Sequence, residues 1–223
     1  MKLHEYHAKQ LFASVQIPIP RGVVVTEAER AAGAYESLRA HGGGSVTFPC
    51  HVKAQLHAGG RGKAGGILVA QSAEEAVAQA RQLLSRRLVT HQTGPEGLPV
   101  SAVLLEERLA VSRELYLAMT IDRYRATPMV LASRRGGVDI EEVAAEEPEA
   151  VVREPIDVDG GPSAAALSRL AQTLDCANAQ AETCRRIGRA IWELFTSRDA
   201  SLIEINPLVV TDDGRLVALD AKV

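Results

Sequence analysis

Two stretches of the chain hold reactive residue types at chemically suggestive spacing. The first is His57-Ala58-Gly59-Gly60-Arg61-Gly62-Lys63-Ala64-Gly65-Gly66, with five glycines and two cations in ten residues. Glycine lets a backbone approach a ligand in conformations other residues avoid. Successive free N–H groups, with Arg61 and Lys63 beside them, attract phosphate oxygens. Flanking sequence decides which kind of phosphate loop this is. Gly60-x-Gly62-x-x-Gly65 satisfies the dinucleotide fingerprint, but that motif should open a helix. Here Ile67-Leu68-Val69-Ala70 follows and reads as a strand. A P-loop is excluded because Ala64 follows Gly62-Lys63 and His57 stands where the first glycine belongs. Strand, glycine loop, strand is instead a hairpin lid over phosphates; a flexible surface turn is the plainer alternative.

The second stretch closes the chain. Asp212-Asp213-Gly214 reads as a three-residue hairpin loop with glycine at the left-handed position. Thr211 then faces Arg215, and counting back sets Asn206 opposite Asp220. Glu204 and Asn206, two apart, share a face, although a bulge at Pro207 could shift the register by one. Hard oxygen donors from Glu204, Asn206 and Asp220 suit Mg²⁺, which would screen charge on a transferring phosphoryl group. The alternative is a polar strand face meeting solvent. Lys53, in the apolar strand before the glycine loop, either reaches a phosphate or snorkels from an edge. Glu106 and Glu114 flank a short connection. They either accept from an adenine amine and ribose hydroxyls or are solvated strand-end acids.

These groups need positioning elements. Ala8, Leu11, Phe12 and Val15 recur at i, i+3, i+4 and i+7, predicting an N-terminal amphipathic helix that Pro18 and Pro20 end. Thr26-x-x-Glu29 has capping-box spacing before a helix of about 27–40, stopped by Gly42-Gly43-Gly44. Val46 to Leu56 reads as a strand, with Pro49 suggesting an edge or bulge. Ser72-x-x-Glu75 repeats the box before a helix burying Ala73, Ala76, Val77, Ala80 and Leu84. Residues 92–99 read as loop. Extended runs follow at Val100–Glu106, Glu114–Ile121 and Pro128–Ser133, then an irregular acidic stretch from Arg134 to about Gly161. Ser163 can cap a helix with Leu167, Leu170, Ala171 and Leu174 on one face. The next helix aligns Cys184, Ile187, Gly188, Ile191 and Phe195, with Trp192 nearby; Gly188 permits close helix packing. Ser201–Ile205, Leu208–Val210 and Arg215–Asp220 read as strands.

With 223 residues, 46% hydrophobic and 24% charged, the chain fits one large domain or two small lobes of a soluble globular protein. A net charge of −3 gives no basic signature for nucleic acid, and no apolar run reaches membrane-spanning length. The start Met-Lys-Leu-His-Glu-Tyr does not read as a signal peptide. The three cysteines form neither a close metal-ligand pair nor a disulfide framework, Cys176 and Cys184 reading as packed thiols in helix-like sequence. The six histidines show no metal-ligand spacing. The expectation is a cytoplasmic protein without nucleic-acid or membrane partners.

Leu3-His4-Glu5-Tyr6, the block from Lys53 to Gly66, Arg113-Glu114-Leu115-Tyr116, Gly136-Gly137-Val138 and Leu202-Ile203-Glu204-Ile205-Asn206-Pro207-Leu208 together resemble the β subunits of succinyl-CoA synthetase. Malate–CoA ligase β subunits are similar too. The resemblance runs over almost the whole chain in order. It implies an α+β ATP-grasp fold, two lobes with a nucleotide cleft between them: residues 1–20 and 108–223 as the larger, 21–107 as the smaller. By position, Lys53 and the Gly60-Arg61-Gly62 backbone would bind the phosphates of ATP, and Glu106, Leu109 and Glu114 the nucleoside. Asn206 and Asp220 match the Mg²⁺ ligands, and Glu204 the carboxylate that orients a phosphohistidine on the partner α subunit. The implied reaction joins succinate, or a similar acid, to CoA at the expense of ATP, through acyl phosphate and phosphohistidine. The histidine and the CoA site would lie on the α subunit. Pro20 matches ATP-preferring rather than GTP-preferring members. Departures are Leu109 where a polar residue is common, Ala221 in place of glycine, and the stop at Val223, where the family continues into a flavodoxin-like ligase domain. A noncatalytic nucleotide-binding or subunit-docking module is the alternative of a different class.

Overall fold

The computed structural model describes residues 2–42 and 48–223. Gly43, Gly44 and Val46, which enter the turn and strand expected there, lie outside the described residues. Contacts divide the chain into two compact units: His4–Tyr6 with Pro20–Leu109, and His7–Ile19 with Ala110–Val223 and the chain start through Leu3. Helix α1 (Glu5–Ser14) opens the chain with Ala8 and Phe12 buried and Leu11 and Val15 packed beside them, as the spacing predicts. No helix among the described residues is long and apolar enough to cross a membrane.

The smaller unit contains β1 (Gly22–Val25), α2 (Ala31–His41), β2 (Cys50–Ala54), β3 (Ile67–Ala70), α3 (Ala73–Leu84), β4 (Arg87–Leu88), β5 (Leu98–Pro99) and β6 (Val103–Glu107). Its main sheet is antiparallel in the order β1-β6-β2-β3. Val52 and Leu105 meet Tyr35, Leu38, Ala76, Ala80 and Leu83 in one core, so α2 and α3 pack on that sheet face. Three expectations are corrected. Thr26 caps nothing: the chain makes a 3₁₀ turn at Ala28–Arg30 without a side-chain cap, and Glu29 pairs with Arg81 at 2.9 Å instead. β2 is shorter than expected and lies inside the sheet, because Pro49 precedes it rather than entering the ladder. The 92–99 loop ends in β5, which pairs with β4. Ser72 does cap α3, accepting from the Glu75 N–H at 3.2 Å, while the Glu75 carboxylate accepts from Gln71 N–H at 2.8 Å.

The larger unit contains β7 (Val111–Asp122), β8 (Thr127–Ser133), α4 (Ile140–Glu146), β9 (Val152–Pro155), α5 (Ala164–Thr173), α6 (Asn178–Ser197), β10 (Leu202–Thr211) and β11 (Leu216–Ala218). The five-stranded antiparallel sheet runs β11-β10-β7-β8-β9. Strand alternation sends Leu115, Leu117 and Met119 into the core with α1, α5 and α6, and Tyr116 and Ala118 into a second core with α4. Burial on both faces explains the unbroken apolar run of β7. Ser163 caps α5 by accepting from Ala166 N–H at 3.1 Å. A Cβ on Gly188 would lie 2.6 Å from a Leu167 methyl, so the bare backbone is what lets α5 and α6 approach. The supposedly irregular 134–161 stretch holds both α4, capped by Asp139, and β9. Its helix is only seven residues long and its strand four, too short for periodicity to show. Cys184 is buried within α6, whereas Cys176 is buried in the connection before it.

Candidate nucleotide site

The glycine-rich stretch joins β2 to β3 as an antiparallel hairpin connection, with Cys50 opposite Ala70 and Lys53 opposite Ile67. Gly60 (φ +74°) and Gly65 (φ +70°) occupy left-handed conformations. The loop folds on itself through Ala64 N–H to Gly60 O (3.2 Å), Gly65 N–H to Gly62 O (3.1 Å) and Gly66 N–H to Arg61 O (2.7 Å). Among the described residues, the N–H groups of Gly60, Gly62 and Lys63 have no acceptor. That leaves backbone donors for an anion, as the composition suggests.

The cations behave differently from expectation. Lys63 is exposed, but Arg61 is only 7% exposed and turns inward. Its Nη1 donates to Glu5 Oε2 at 2.7 Å and to Ala54 O at 3.0 Å. Lys53 is equally buried, its Nζ 3.2 Å from Glu5 Oε1 and in a short contact with Glu106. The snorkelling alternative fails for Lys53, 4% exposed, and the solvated-acid alternative fails for Glu106, 0% exposed, whereas Glu114 is an exposed acid. Strand pairing explains the contact. Glu106 lies opposite His51, and Lys53 is two residues on from His51 along the same face, a diagonal that a long side chain spans. Gln55 fixes the third member: its Nε2 donates to Glu5 Oε2 at 3.4 Å and its Oε1 accepts from Tyr6 N–H at 3.2 Å. Two acids and two cations thus balance one another out of water, the condition under which buried charge is tolerable.

Glu5 was not foreseen as a site residue. The available signal was helical: Glu5 stands three residues before Ala8 and seven before Phe12, so an acid occupies the buried stripe of α1. His57 stacks on His4, ring centroids 4.0 Å apart, rather than meeting other ligating residues.

In the larger unit, the hairpin is in the counted register. Thr211 N–H donates to Arg215 O at 2.9 Å, Leu208 pairs with Ala218, and Glu204 bridges Lys222, leaving Asn206 opposite Asp220. Gly214 has φ +84° as expected. The bulge at Pro207 exists, but towards β7: Ile205 pairs with Leu117 and Leu208 with Leu115, so Asn206 and Pro207 together oppose Tyr116. The released Asn206 amide clamps the neighbouring glycine loop. Its Oδ1 accepts from Gly137 N–H at 2.8 Å and its Nδ2 donates to Val138 O at 2.9 Å. Glu114 lies against the same loop, since its carboxylate fills the space a Cβ on Gly137 would need.

Glu204 is partly buried, 3.7 Å from Lys222 Nζ. Burial raises its pKa, Lys222 opposes this, and Glu141 and Asp220 push further upward. Burial, then Glu204 and Glu141, likewise raise the Tyr116 hydroxyl. Glu141 is itself raised, first by its contact with Asp139 and then by burial. Asp220 Oδ1 accepts from Ala221 N–H at 2.8 Å. No three His, Cys, Asp or Glu side chains among the described residues gather as a metal cage. Asn206 and Asp220 nevertheless fit a hard cation that takes most of its ligands from water and phosphate. An amide oxygen with one lone pair on Gly137 keeps a second. The structure therefore gathers Lys53, Arg61 and Glu106 around Glu5 in the smaller unit, where Leu109 is half-buried. In the larger it gathers Glu204 and Asp220 around the hairpin, and it joins Asn206 and Glu114 at Gly137.

Sheet order, glycine hairpin and terminal β-ribbon define a nucleotide-handling α+β domain: the chain belongs to the ATP-grasp domain family, which it matches over residues 2–210 and which implies ATP binding. Over its whole length it is 44% identical to the succinate–CoA ligase [ADP-forming] β subunit of Desulfotalea psychrophila and 46% identical to that of Solibacter usitatus. It spans 56% of each, so the chain covers about half the length of these relatives. The solved ATP citrate lyase of Methanothrix soehngenii shares the fold, with a TM-score of 0.68 at 21% identity over 99% of this chain and 50% of that one. So does the dinucleotide-forming acetyl-coenzyme A synthetase 1 of Ca. Korarchaeum cryptofilum, with a TM-score of 0.69 at 17% identity over 99% and 92%.

Proposed function

We propose that this chain is the ATP-grasp part of the β subunit of an ADP-forming succinate–CoA ligase. The observation that carries the reading is identity of 44–46% with such subunits across every residue of the chain. Succinate, CoA and ATP become succinyl-CoA, ADP and phosphate, with a phosphohistidine on an α subunit passing the phosphoryl group. Lys53 and the Gly60-Arg61-Gly62 backbone hold the phosphates; Glu106, Glu114 and the Leu109 backbone hold the nucleoside. Asn206 and Asp220 would hold Mg²⁺, which would supply charge screening at the phosphoryl group. Glu204 orients the α-subunit histidine. The ion network adds a requirement to these roles. Lys53 and Glu106 are already paired, so they serve a nucleotide either by sharing that contact or by giving it up. Phosphate oxygens then compensate the ammonium, and donors of the base or ribose compensate the carboxylate, which keeps either charge from being left alone out of water.

The test mixes the chain with an α subunit and γ-labelled ATP and follows label on the α-subunit histidine. Transfer is expected, with loss in Lys53→Ala and Asp220→Asn variants. Tight Mg·ATP binding without transfer would replace this reading with a nucleotide-binding docking module. Acyl-CoA formation from malate but not succinate would reassign the acid.

A further inference from the structure

We infer that Gln92 is a positioning residue for the glycine-rich loop, fixing from outside the loop which of its amides remain open to an anion. This rests on the reading of that loop as a phosphate binder. Gln92 Oε1 accepts from Gly59 N–H at 2.8 Å, across 33 residues of sequence. The contact is close: a Cβ on Gly59 would lie 3.0 Å from that oxygen, and one on Gly60 2.6 Å from His91 Nδ1. Gly60 is thus pressed against the His91 ring, and Gly59 lies so near the Gln92 amide that a Cβ would push it aside.

The turn is built to resist. Thr90, 7% exposed, donates its N–H to Thr93 Oγ1 at 2.9 Å, and Thr93 N–H and Oγ1 both donate to Thr90 O at 3.1 Å. Gln92 N–H donates to Thr90 Oγ1 at 3.1 Å. A hydrogen-bonded four-residue turn therefore holds the loop at its first glycines, tying the Gly59 amide while those of Gly60, Gly62 and Lys63 keep no acceptor among the described residues. The residue type matters as well. A glutamate here would accept the same hydrogen bond, yet its charge would oppose phosphates, and Gln92 Nε2 has no acceptor among the described residues.

Calorimetry with Mg·ATP and with adenosine, alongside hydrogen exchange at Gly59, tests this in the wild type, Gln92→Ala and Gln92→Glu. Loss of one neutral hydrogen bond corresponds to about a three- to ten-fold change in an equilibrium constant. Gln92→Ala is expected to weaken Mg·ATP by that factor, speed Gly59 exchange and leave adenosine affinity unchanged, a split that loss of stability alone would not give. Gln92→Glu should keep Gly59 protected but still weaken Mg·ATP, less so at high salt. Gln92→Ala that binds Mg·ATP as the wild type does, or exchanges Gly59 at the wild-type rate, overturns the inference while leaving the loop's reading intact. A wild type that does not bind Mg·ATP overturns both.

Discussion

Glu5, Lys53, Arg61 and Glu106 in the smaller unit, and Glu204, Asn206, Asp220 and Lys222 in the larger, handle charge in opposite ways. The first set is out of water and balanced, each ion held by a partner of opposite sign. The second is partly exposed: burial raises the Glu204 pKa, Lys222 opposes this and Glu141 and Asp220 push it further upward, while Lys9 Nζ donates to Leu219 O at 2.8 Å next to Asp220. The difference teaches that charge can be accommodated in two ways. A buried network compensates its ions within itself. A partly exposed cluster leaves part of that compensation to solvent, and the burial of one member shows as a raised pKa.

Glu5→Ala should break the comparison most severely. It removes the carboxylate that both Lys53 and Arg61 contact, and removal of one partner from a buried ion network costs about 3–5 kcal/mol. Urea denaturation should record that loss; under about 1 kcal/mol, the range of exposed pairs, would mean the network is not dry. Asn206→Ala is next. Two neutral hydrogen bonds to the Gly137–Val138 loop disappear, for about 1–2 kcal/mol, and Gly137 amide exchange should accelerate. An unchanged rate would show that the loop is held by Glu114 and β7 alone.

Glu204→Gln should have the smallest effect, visible as pH dependence. A carboxyl whose folded pKa is raised binds its proton more tightly in the native state, so its contribution to stability declines as pH rises from the ordinary carboxylate range through that raised value. The glutamine variant lacks this decline. It should gain on the wild type above that window and lose the gain below it. Parallel stability–pH curves for the two proteins would place Glu204 in solvent.

The sequence displays these regions unequally. Everything in the hairpin that depends on counting is readable, because Gly214 sets the turn and strand pairing propagates from Thr211–Arg215 to Glu204–Lys222. Gly188 between helices and the Ser72 and Ser163 caps are readable for the same local reason. Thr26 has identical spacing to Ser72 yet makes no cap, since a 3₁₀ start and the Arg81 partner of Glu29 replace it. The ion network is not readable as a network. Its contacts join residues 48 to 56 positions apart, and nothing local distinguishes an arginine that lies among glycines to meet a phosphate from one that turns inward to Glu5. Gln92 is hidden likewise, its partner lying 33 residues away.

The extra residue at Asn206-Pro207 constrains how this ribbon can change. Ile203 and Ile205 enter the core at odd positions, Leu208 and Val210 at even ones, so between Ile205 and Leu208 β10 carries one residue more than β7. A second shift between Val210 and Thr211 restores the original offset, while towards Lys222 the strand keeps one register throughout. The two shifts cancel, so the displacement from β7 is confined to the segment between them. Deleting Pro207 would remove the first shift and keep the same apolar residues inside, but it would leave the shift at Val210–Thr211 uncompensated and slide Asp220 out of opposition to Asn206. Lengthening the Asp212–Gly214 tip would do neither, so inserted residues are best accommodated at the tip and a shortened strand least of all.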